Sequence, residues 1–390
     1  MNILFLNHNL AWRGTFFRAY HLARELVARG HEVDLWTVSK RVSLAGEIRV
    51  SEGVRIWITP RWWKVGRHDG GYAPLDILMR SARIQLGKWD LIHAFDHRPN
   101  VSIPWYLKKS LGRSIFCADW CDWWTAGGIT TNRRRFAWVD RCERRLEEGS
   151  KRAAQLVTVI SSVLYKRACE VGIEPERLLL LPSGADIRGI SCLDEVECRE
   201  MVGLRPHDPT LCFVGYSLWD IELISKAFVL VQKAIPSCQL LVIGGGVEAP
   251  ALDSLRTDFR IGYDVYLPGE IPYRLLPRFL GAATLHLLPL DNSLANRARV
   301  PNKLGDYLAS GRPIVACDIG DTGRVIAEHE VGCVSDVSAE SFADAILELL
   351  NAASQERLAI GKRARALAEG PYAWSCMADR LEQAYTVALR

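Results

Sequence analysis

The chain has 390 residues, of which 49% are hydrophobic and 24% are charged, and its formal net charge is +4. This length favours two domains, and the composition is typical of a folded globular protein. No apolar run reaches the roughly 18–20 residues that a membrane-spanning helix needs, and the first residues lack the basic and apolar regions of a signal peptide. The 11 cysteines include no Cys-x-x-Cys pair, so we expect reduced thiols, no zinc site and a cytoplasmic protein.

The charge is distributed unevenly along the chain. Residues 1–185 carry 29 Lys and Arg against 18 Asp and Glu, a net charge of +11, and the remainder has a net charge of −7. Of the 13 tryptophans, 11 lie at or before Trp138. Cations combined with aromatic rings favour an anionic membrane surface as a partner, on the inner face of the membrane, and RWWK at residues 61–64 is the sharpest local example. Solvated helix faces and core aromatics explain the composition equally well. Nucleic acid is not expected, because no recognition motif accompanies the charge.

Strands and helices alternate from the start of the chain. Residues 2–6 form an apolar run typical of a buried strand, and residues 16–27 have apolar side chains at helical spacing, with Gly30 as the stop signal. This alternation predicts a parallel, doubly wound sheet with right-handed crossovers. Further strands in the first half are predicted at residues 32–37, 55–58, 90–94, 114–117, 155–160 and 178–181.

The second half repeats the pattern, beginning with a strand at residues 210–214. We therefore predict an α/β protein with two doubly wound parallel-sheet domains at residues 1–186 and 187–370, followed by a C-terminal helix at residues 371–390. The remaining predicted strands are residues 239–243, 265–267, 284–288 and 313–316, and the predicted helices are residues 221–234, 273–280, 302–310, 340–351, 355–368 and 374–389.

The most informative segment is RARVPNKLGDYLASGRPIVA at residues 297–316, which combines a basic loop, a short helix and a buried strand. The helix N-terminus attracts anions, and Arg297, Arg299 and Lys303 add cations around it. Asp306 follows one turn deeper on the same side of the helix. A diphosphate at the helix start and a ribose bound by Asp306 would account for these residue types. The alternative is a solvated helix with a Lys303–Asp306 surface pair.

This segment resembles the nucleotide-sugar-binding segment of the "glycosyl transferases group 1" family, in which Pro-x-Lys-Leu-x-Glu/Asp-Tyr-Leu-Ala-x-Gly-x-Pro-Val-Val-Ala is common. The resemblance implies a retaining glycosyltransferase of GT-B type, with two Rossmann-like domains facing across a cleft. Such an enzyme moves a sugar from a nucleoside diphosphate sugar to an acceptor hydroxyl without a cofactor. No metal is expected, because no carboxylate pair flanks the diphosphate. Four further segments follow the family's order: Gly14 with residues 18–33, residues 157–161, residues 181–186 and residues 372–374.

The resemblance also implies where the donor binds. Gly14 lies in the first strand-to-helix loop, where a glycine lets the backbone approach a phosphate or sugar. Gly215 marks the matching loop of the second domain. Many relatives carry an Arg after this glycine and a Lys a few residues later, whereas this chain has Tyr216 and Ser217. We expect the basic residues of the 297–316 segment to supply the missing charge, because arginine grips phosphate with paired hydrogen bonds.

Two further parts of the family's donor site are the pair of glutamates, which this chain has only in part, and the base-binding turn, which acts through its backbone. Relatives often have two glutamates separated by seven residues; Asp306 matches the second, and Ala298 stands at the first. Asp291 and Asn292 are expected to contact the donor sugar instead, although Asp-Asn after a strand is also an ordinary turn. The other predicted donor contacts are Gly269 and Ile271, in a turn that resembles the family's base-binding turn, and Leu304 beside Lys303.

The catalytic candidates follow predicted strands. In CADWCDWW, residues 117–124, Asp119 and Asp122 stand among tryptophans where many relatives place a His that faces the reacting sugar. Apolar surroundings raise a carboxyl pKa and suit it to accept a proton from an acceptor hydroxyl. An aspartate that caps the next helix is the alternative. His93 is the second candidate, although a lone His at a strand end is more often structural. In the family the leaving phosphate helps to deprotonate the acceptor, so an aspartate that only orients the acceptor also fits.

Other functions on the same fold stay open at this point. A nucleotide-sugar epimerase or a phosphorylase would use the same donor site. A non-catalytic binding or scaffolding subunit would explain the missing first glutamate and the missing phosphate lysine. The sequence does not identify the base, the sugar or the acceptor, which can be a glycan, a glycolipid or other lipid-linked sugar, or a small-molecule glycoside.

Overall fold

The computed structural model describes residues 1–40, 42–43, 45–61, 71–112, 114–131, 136–215, 217–245 and 250–389. The chain forms two compact units. The first comprises Met1–Ser183, Ala298–Asn302 and Trp374–Arg390, and the second comprises Gly184–Arg297 and Lys303–Ala373. The predicted boundaries after residues 186 and 370 each lie a few residues from a boundary between the units. The excursion of Ala298–Asn302 into the first unit was not predicted.

The described strands belong to two sheets. In the first unit they are β1 (Asn2–Leu10), β2 (Glu32–Val38), β3 (Glu47–Ser51), β4 (Val54–Thr59), β5 (Leu91–Phe95), β6 (Ile115–Trp120), β7 (Leu156–Val159) and β8 (Leu178–Leu180). In the second unit they are β9 (Thr210–Val214), β10 (Gln239–Ile243), β11 (Val265–Gly269), β12 (Leu285–Leu288), β13 (Ile314–Cys317) and β14 (Gly332–Ser335).

Both sheets are doubly wound. The strand order is β3-β4-β2-β1-β5-β6-β7-β8 in the first and β11-β10-β9-β12-β13-β14 in the second. Neighbouring strands run parallel except β3 and β4, which are antiparallel. The order reverses between β1 and β5 and between β9 and β12, and ligands of such sheets bind beyond the carboxyl ends of the strands at these points. The predicted fold class is confirmed.

Helices connect the strands and cover the sheets. In chain order they are α1 (Thr15–Ala28), α2 (Pro74–Leu86), α3 (Pro99–Leu111), α4 (Ala137–Ala153), α5 (Ser162–Glu170), α6 (Glu195–Val202), α7 (Leu218–Ala234), α8 (Asp253–Asp258), α9 (Leu276–Gly281), α10 (Leu294–Ala298), α11 (Asn302–Ser310), α12 (Gly320–Glu328), α13 (Ala339–Asn351), α14 (Ser354–Glu369) and α15 (Trp374–Ala388). None of the described helices is long and apolar enough to cross a membrane.

The last helix belongs to the first unit. Trp374, Leu381 and Tyr385 of α15 are buried in the same apolar cluster as Phe5 of β1 and Phe16 of α1. Apolar residues at helical spacing on α15 therefore face the layer that α1 builds on the first sheet. The second unit ends before this helix, at Ala373.

Strands β3 and β14 and eight of the described helices have no counterpart among the predicted ranges, and β3, β14 and helix α12 show the physical reasons. Strand β3 is mostly exposed and pairs only with β4 at the edge of the first sheet, so its residues lack the apolar run that marks a buried strand. Strand β14 is the corresponding short edge strand of the second sheet. Helix α12 begins at Gly320, whose φ of +57° suits glycine, and two glycines weaken its helical signal.

Candidate functional site

A buried ion pair occupies the carboxyl end of β6. Arg18 of α1 donates two hydrogen bonds to Asp119, with Nε–Oδ2 and Nη2–Oδ1 distances of 3.0 and 2.9 Å. Both side chains are almost fully buried. The hydroxyl of Thr158 and the thiol of Cys121 also donate to this carboxylate. Burial alone would raise the pKa of Asp119, but the Arg18 charge outweighs it and lowers the pKa. Asp119 is thus committed to partners inside the first unit, which favours a structural role.

His93 lies one layer below the strand ends and is fully buried. Its Nδ1 meets the Tyr385 hydroxyl of α15, and its Nε2 meets the Thr158 hydroxyl at 3.2 Å. Burial lowers the pKa of His93 to about 3, although the Asp119 charge opposes the shift. A neutral imidazole with both nitrogens engaged also fits a structural role, the alternative left open for it.

Asp122 is the predicted catalytic residue that stays available. It follows β6 in the loop toward α4 and is only half-buried. Burial and the nearby Asp96 carboxylate raise its pKa to about 6, while the Arg299 cation opposes the shift. A carboxylate with this pKa is largely ionised at neutral pH yet basic enough to accept a proton. The raised pKa expected from the tryptophan-rich surroundings is therefore present at Asp122 and absent at Asp119.

The segment at residues 120–125, which carries Asp122, is called the tryptophan loop below. It is held in place by Glu147, a fully buried residue of α4. Its carboxylate accepts hydrogen bonds from Trp120 Nε1 at 3.0 Å, from the Trp124 N–H at 3.1 Å and from the Thr125 N–H at 2.9 Å. Arg167 of α5 completes the charge balance, with Nη1 3.0 Å from Glu147 Oε1. One buried carboxylate thus pins three residues of the loop.

A second cluster at this sheet edge was missed by the sequence prediction. Asp96 follows β5 with a φ of +75°, rare for a residue other than glycine, and is fully buried. Its carboxylate accepts from Trp124 Nε1 at 2.7 Å and lies 2.7 Å from His97 Nδ1. His8, near the end of β1, lies 3.7 Å from the same carboxylate, and burial lowers the pKa of His8 to about 4. The position of Asp96 two residues after the strand predicted at residues 90–94 is the signal that could have identified it.

The basic residues of the 297–316 segment divide between the units. Arg299 belongs to the first unit, close enough to Asp122 for its charge to act on that carboxyl. Its Nε is buried and has no hydrogen-bond partner among the described residues. The backbone beside it is anchored, because Ser161 donates to the Ala298 carbonyl and Asn302 Nδ2 donates to the Gly14 carbonyl at 3.2 Å. Arg297 is exposed and belongs to the second unit.

Lys303 lies at the carboxyl end of β9 in the second unit. Its Nζ donates to the Val214 carbonyl at 3.0 Å and stands 4.1 Å from the centre of the Phe213 ring. Gly215 has a φ of +150°, and a Cβ built there would lie 3.3 Å from the same Nζ. The ammonium group therefore lies beside Gly215, in the loop where relatives carry their own basic residues. Tyr216, the next predicted donor contact, lies outside the described residues.

Asp306 belongs to a compact polar cluster with Asp186 and Tyr273. The Tyr273 hydroxyl is 3.3 Å from one carboxylate oxygen of each aspartate. Burial and the Asp186 charge raise the pKa of Asp306 to about 7. The cluster depends on a close backbone approach, because a Cβ at Gly305 would clash with the Gly184 carbonyl oxygen. Sequence reasoning found Asp306 and missed both partners, which are distant along the chain.

The remaining predicted donor residues have mixed surroundings. Asp291 accepts from the Ser293 N–H at 2.9 Å and from Asn296 Nδ2 at 2.8 Å, as in the ordinary turn that was the alternative, and Asn292 is exposed. Leu304 is buried, so its side chain belongs to the core. The other predicted positions are Gly14, with a φ of +54° before α1; Ser217, the N-cap of α7; Gly269, with a φ of +75° at the end of β11; and Ile271, half-buried in the next turn.

The side chains that commonly bind metals are dispersed. Within the described ranges, no group of three or more His, Cys, Asp or Glu residues is arranged to bind a metal ion. The absence of a metal from the reaction stays a prediction.

Comparison with known families covers most of the chain. A model described as "Glycosyl transferase 4-like domain" matches residues 14–184, and a model described as "Glycosyl transferases group 1" matches residues 208–352. The chain belongs to the group 1 glycosyltransferases. The family expected from the 297–316 segment is confirmed.

Individual relatives are distant. The D-inositol 3-phosphate glycosyltransferase of Nocardia farcinica is 28% identical over an alignment that covers 56% of this chain and 49% of that protein. The chain thus spans about half the length of the first curated relatives it matches. Sucrose-phosphate synthase from Thermosynechococcus elongatus has a TM-score of 0.78 and 17% identity, with 99% of this chain and 98% of that chain covered. Anabaena HepE in complex with UDP and glucose has a TM-score of 0.69 and 16% identity, with 99% of each chain covered. These structures share the fold of this chain.

Substitutions of Asp119 and of Asp122 should differ sharply in their effect on stability. Asp119→Asn leaves the buried Arg18 guanidinium without a balancing charge, so we expect the free energy of unfolding to fall by about 3–5 kcal/mol. Asp122→Asn removes a carboxylate that repels Asp96, so we expect a change within about 1 kcal/mol at pH 7. Urea unfolding followed by circular dichroism measures both. Equal losses in the two variants would contradict this distinction.

Asp306 should make stability depend on pH. Because its pKa rises from an ordinary 3.8 to about 7, the folded chain binds this proton more tightly than the unfolded chain. Its contribution is therefore full below pH 4 and is lost as the pH rises toward 7. We expect Asp306→Asn to gain on the order of 1–3 kcal/mol over the parent between pH 4 and pH 8, measured by thermal and urea unfolding. Asp344→Asn, an exposed change on α13, is the control. A parent–variant difference that does not change with pH would refute the assignment.

Proposed function

We propose that this protein transfers a sugar from a nucleoside diphosphate sugar to an acceptor hydroxyl, with retention of configuration and without a metal. The observation that carries the proposal is the position of Lys303 beside Gly215. It supplies a cation at the strand-end loop where the chain lacks the basic residues of its relatives, next to a helix N-terminus that favours anions. Both features suit the diphosphate of such a donor.

The residues that we propose bind the donor belong to the second unit. Lys303 would bind the diphosphate, and Arg297, which is exposed nearby in sequence, would add charge. Asp306 would accept hydrogen bonds from the ribose hydroxyls, because its carboxyl lies in the turn of α11 that follows Lys303. Backbone groups near Gly269 and Ile271 would bind the base. Neutralising the departing diphosphate is the largest contribution such a site makes to the rate.

The residues that we propose act on the acceptor belong to the first unit. Asp122 is the carboxylate at the strand ends with a pKa suited to proton transfer, and Arg299 is the cation that acts on it. In the transfer, the bond between the anomeric carbon and the diphosphate oxygen breaks, and its electron pair leaves with the diphosphate. The acceptor oxygen forms the new bond to the same carbon. Its proton passes to Asp122 or to the departing phosphate, and in the second case Asp122 only orients the hydroxyl.

The identities of donor and acceptor need direct screening. The Anabaena HepE structure is a complex with UDP and glucose, and the Nocardia relative is a D-inositol 3-phosphate glycosyltransferase. UDP, its sugar conjugates and D-inositol 3-phosphate therefore belong in the first screen. A ligand present at 100 times its dissociation constant stabilises a protein by about 2.7 kcal/mol, so thermal shift will detect the donor nucleotide. Turnover of the donor without an acceptor would favour an epimerase instead.

The cysteines bear on where the reaction takes place. All 11 are free thiols, and free thiols suit a reducing compartment. We therefore place the reaction in the cytoplasm.

Asp122→Asn should slow sugar transfer and leave donor binding intact. We expect kcat to fall roughly 100-fold or more, because general-base catalysis contributes about 10²–10⁴-fold. In the parent, kcat/KM should rise as the pH passes through about 6, where Asp122 ionises, and this limb should vanish in the variant. Asp90→Asn, the same change just before β5, at the amino ends of the strands of the first sheet, is the control. If Asp122→Asn abolishes binding of the nucleotide by calorimetry, the residue is not on the acceptor side.

Lys303→Gln should weaken binding of a nucleoside diphosphate far more than binding of the matching nucleoside. Glutamine keeps a donor for the Val214 carbonyl and removes the charge. We expect a loss of roughly 10–100-fold for the diphosphate, since a hydrogen bond to a charged group contributes about 1.5–3 kcal/mol. Lys226→Gln on α7, the first lysine after Gly215 in the sequence, is the matched control. Equal losses for nucleoside and diphosphate would show that Lys303 does not bind the phosphates.

A further inference from the structure

Helix α4 separates its charges between two faces. Three of its four acidic residues, Glu143, Glu147 and Glu148, are buried, at 2%, 0% and 6% exposure, and the fourth, Asp140, is half-buried. Its arginines face outward: Arg144 is exposed and pairs with Glu148 at 2.8 Å. Arg141 and Arg145 are exposed as well, and no described carboxylate lies within ion-pair distance of either. The outward surface of this helix is therefore strongly basic.

Two large aromatic side chains stand at the start of the same helix. Phe136, the N-cap residue, is 76% exposed, and Trp138 is 66% exposed. Trp138, Arg141 and Arg145 follow one another at spacings of three and four residues, so they lie on one side of the helix. Phe136 precedes this row. The four residues Phe136, Trp138, Arg141 and Arg145 are called the α4 face below.

The other described tryptophans of the first unit are less exposed than Trp138: Trp12, the most exposed of them, is 40% exposed and packs against Phe16 and Tyr20. Trp36, Trp57, Trp105 and Trp120 are buried in the core. The segment at residues 61–64, which the sequence singled out, differs from the expectation where it is described. Arg61 is 5% exposed, and its guanidinium donates to the Lys40 carbonyl. Trp62, Trp63 and Lys64 lie outside the described residues. Among the described residues, the α4 face combines two strongly exposed aromatic rings with two exposed arginines that have no described carboxylate within ion-pair distance.

We propose that the α4 face docks the protein onto an anionic membrane surface. Arginines next to a bilayer are attracted by the negative potential of acidic lipids, and exposed Trp and Phe rings insert at the level of the head groups. An acidic soluble partner would need the cations but not two aromatic rings directed at water. The attachment is peripheral, because the opposite side of α4, which carries the buried glutamates, packs inside the first unit. This inference does not depend on the proposed sugar transfer.

The test uses the full chain and sedimentation with vesicles. The parent protein should sediment with vesicles of phosphatidylcholine and phosphatidylglycerol at low salt and stay in solution with phosphatidylcholine alone. Raising the salt to about 0.5 M should release it, because salt screens the attraction between charged surfaces. Failure of the parent to bind the anionic vesicles at low salt would overturn the proposal. Equal binding to neutral and anionic vesicles would overturn it as well.

Two pairs of substitutions separate the contributions of charge and aromatic rings. Arg141→Ser with Arg145→Ser should lower the partition coefficient roughly tenfold or more, and Phe136→Ser with Trp138→Ser should lower it at every salt concentration. Arg133, Arg134 and Arg135 lie outside the described residues and stay unchanged, so any loss belongs to the α4 face. Leu358→Ser with Lys362→Ser, an exposed apolar and basic pair on α14, is the matched control and should bind like the parent.

Two further measurements keep the result decisive. Circular dichroism and the melting temperature must match the parent in all variants, because the changed side chains are exposed.

Heparin, a soluble polyanion, is added as a competitor at physiological salt. If the anionic vesicles release the protein from immobilised heparin, the result supports a membrane partner. If heparin strips the protein from the vesicles and the aromatic pair has no effect, the face binds a soluble polyanion and the proposal is wrong. Variants of the α4 face that bind like the parent would also refute it.

Discussion

The buried pair of Arg18 and Asp119 is the interaction on which the first unit depends. The Arg18 guanidinium joins three parts of the chain, since it also donates to the carbonyls of Leu181 and Pro182, at 2.7 and 3.0 Å. Helix α1, the end of β6 and the segment after β8 are thereby fixed to one another. Removing either charge would leave the other buried and unbalanced, which costs far more than an exposed pair contributes. The loop that carries Asp122 begins at this anchored point.

Polar groups at the carboxyl edge of the first sheet fall into two kinds. Asp119, His93 and Glu147 have every strong acceptor or donor engaged inside the unit, and they maintain the geometry of the strand ends. Asp122 and Arg299 retain groups that can meet a ligand. The first kind holds the second in place, because the Glu147 carboxylate accepts from the Trp124 and Thr125 N–H groups of the loop that carries Asp122. The Asp122 carboxylate therefore lies in a loop that a buried carboxylate holds in place.

In the second unit the governing constraint is the contact between two stretches of backbone. Gly305 lies in the middle of α11, where glycine is unfavourable by about 1 kcal/mol relative to alanine. Its lack of a side chain lets the helix approach Gly184 closely enough to bring Asp306 beside Asp186. Burial first, and then the charge of the neighbouring Asp186, account for the raised pKa of Asp306. Gly305 thus lowers the stability of α11 but lets the Asp306 carboxyl lie beside Asp186.

Much of the fold was predictable from local pattern. Alternating apolar strands and amphipathic helices specify a doubly wound parallel sheet, because only that arrangement buries both faces of such strands. The edge strands β3 and β14 escaped, since a partly exposed strand has no distinctive apolar run. The segment at residues 297–316, together with four further segments in the family's order, indicated a glycosyltransferase, because their residue types and order match one family.

The roles of individual site residues were decided by tertiary structure. Asp119, at the end of β6, and Asp122, in the loop that follows, are three positions apart and look alike in sequence, yet one is paired with Arg18 and the other is subject to the charges of Asp96 and Arg299. Tyr273 and Asp186 became partners of Asp306 only when distant segments packed together. A residue's type and spacing determine which element it joins. Its protonation and its freedom to meet a ligand depend on charges and burial contributed by segments far away along the chain, and those exist only in the folded protein.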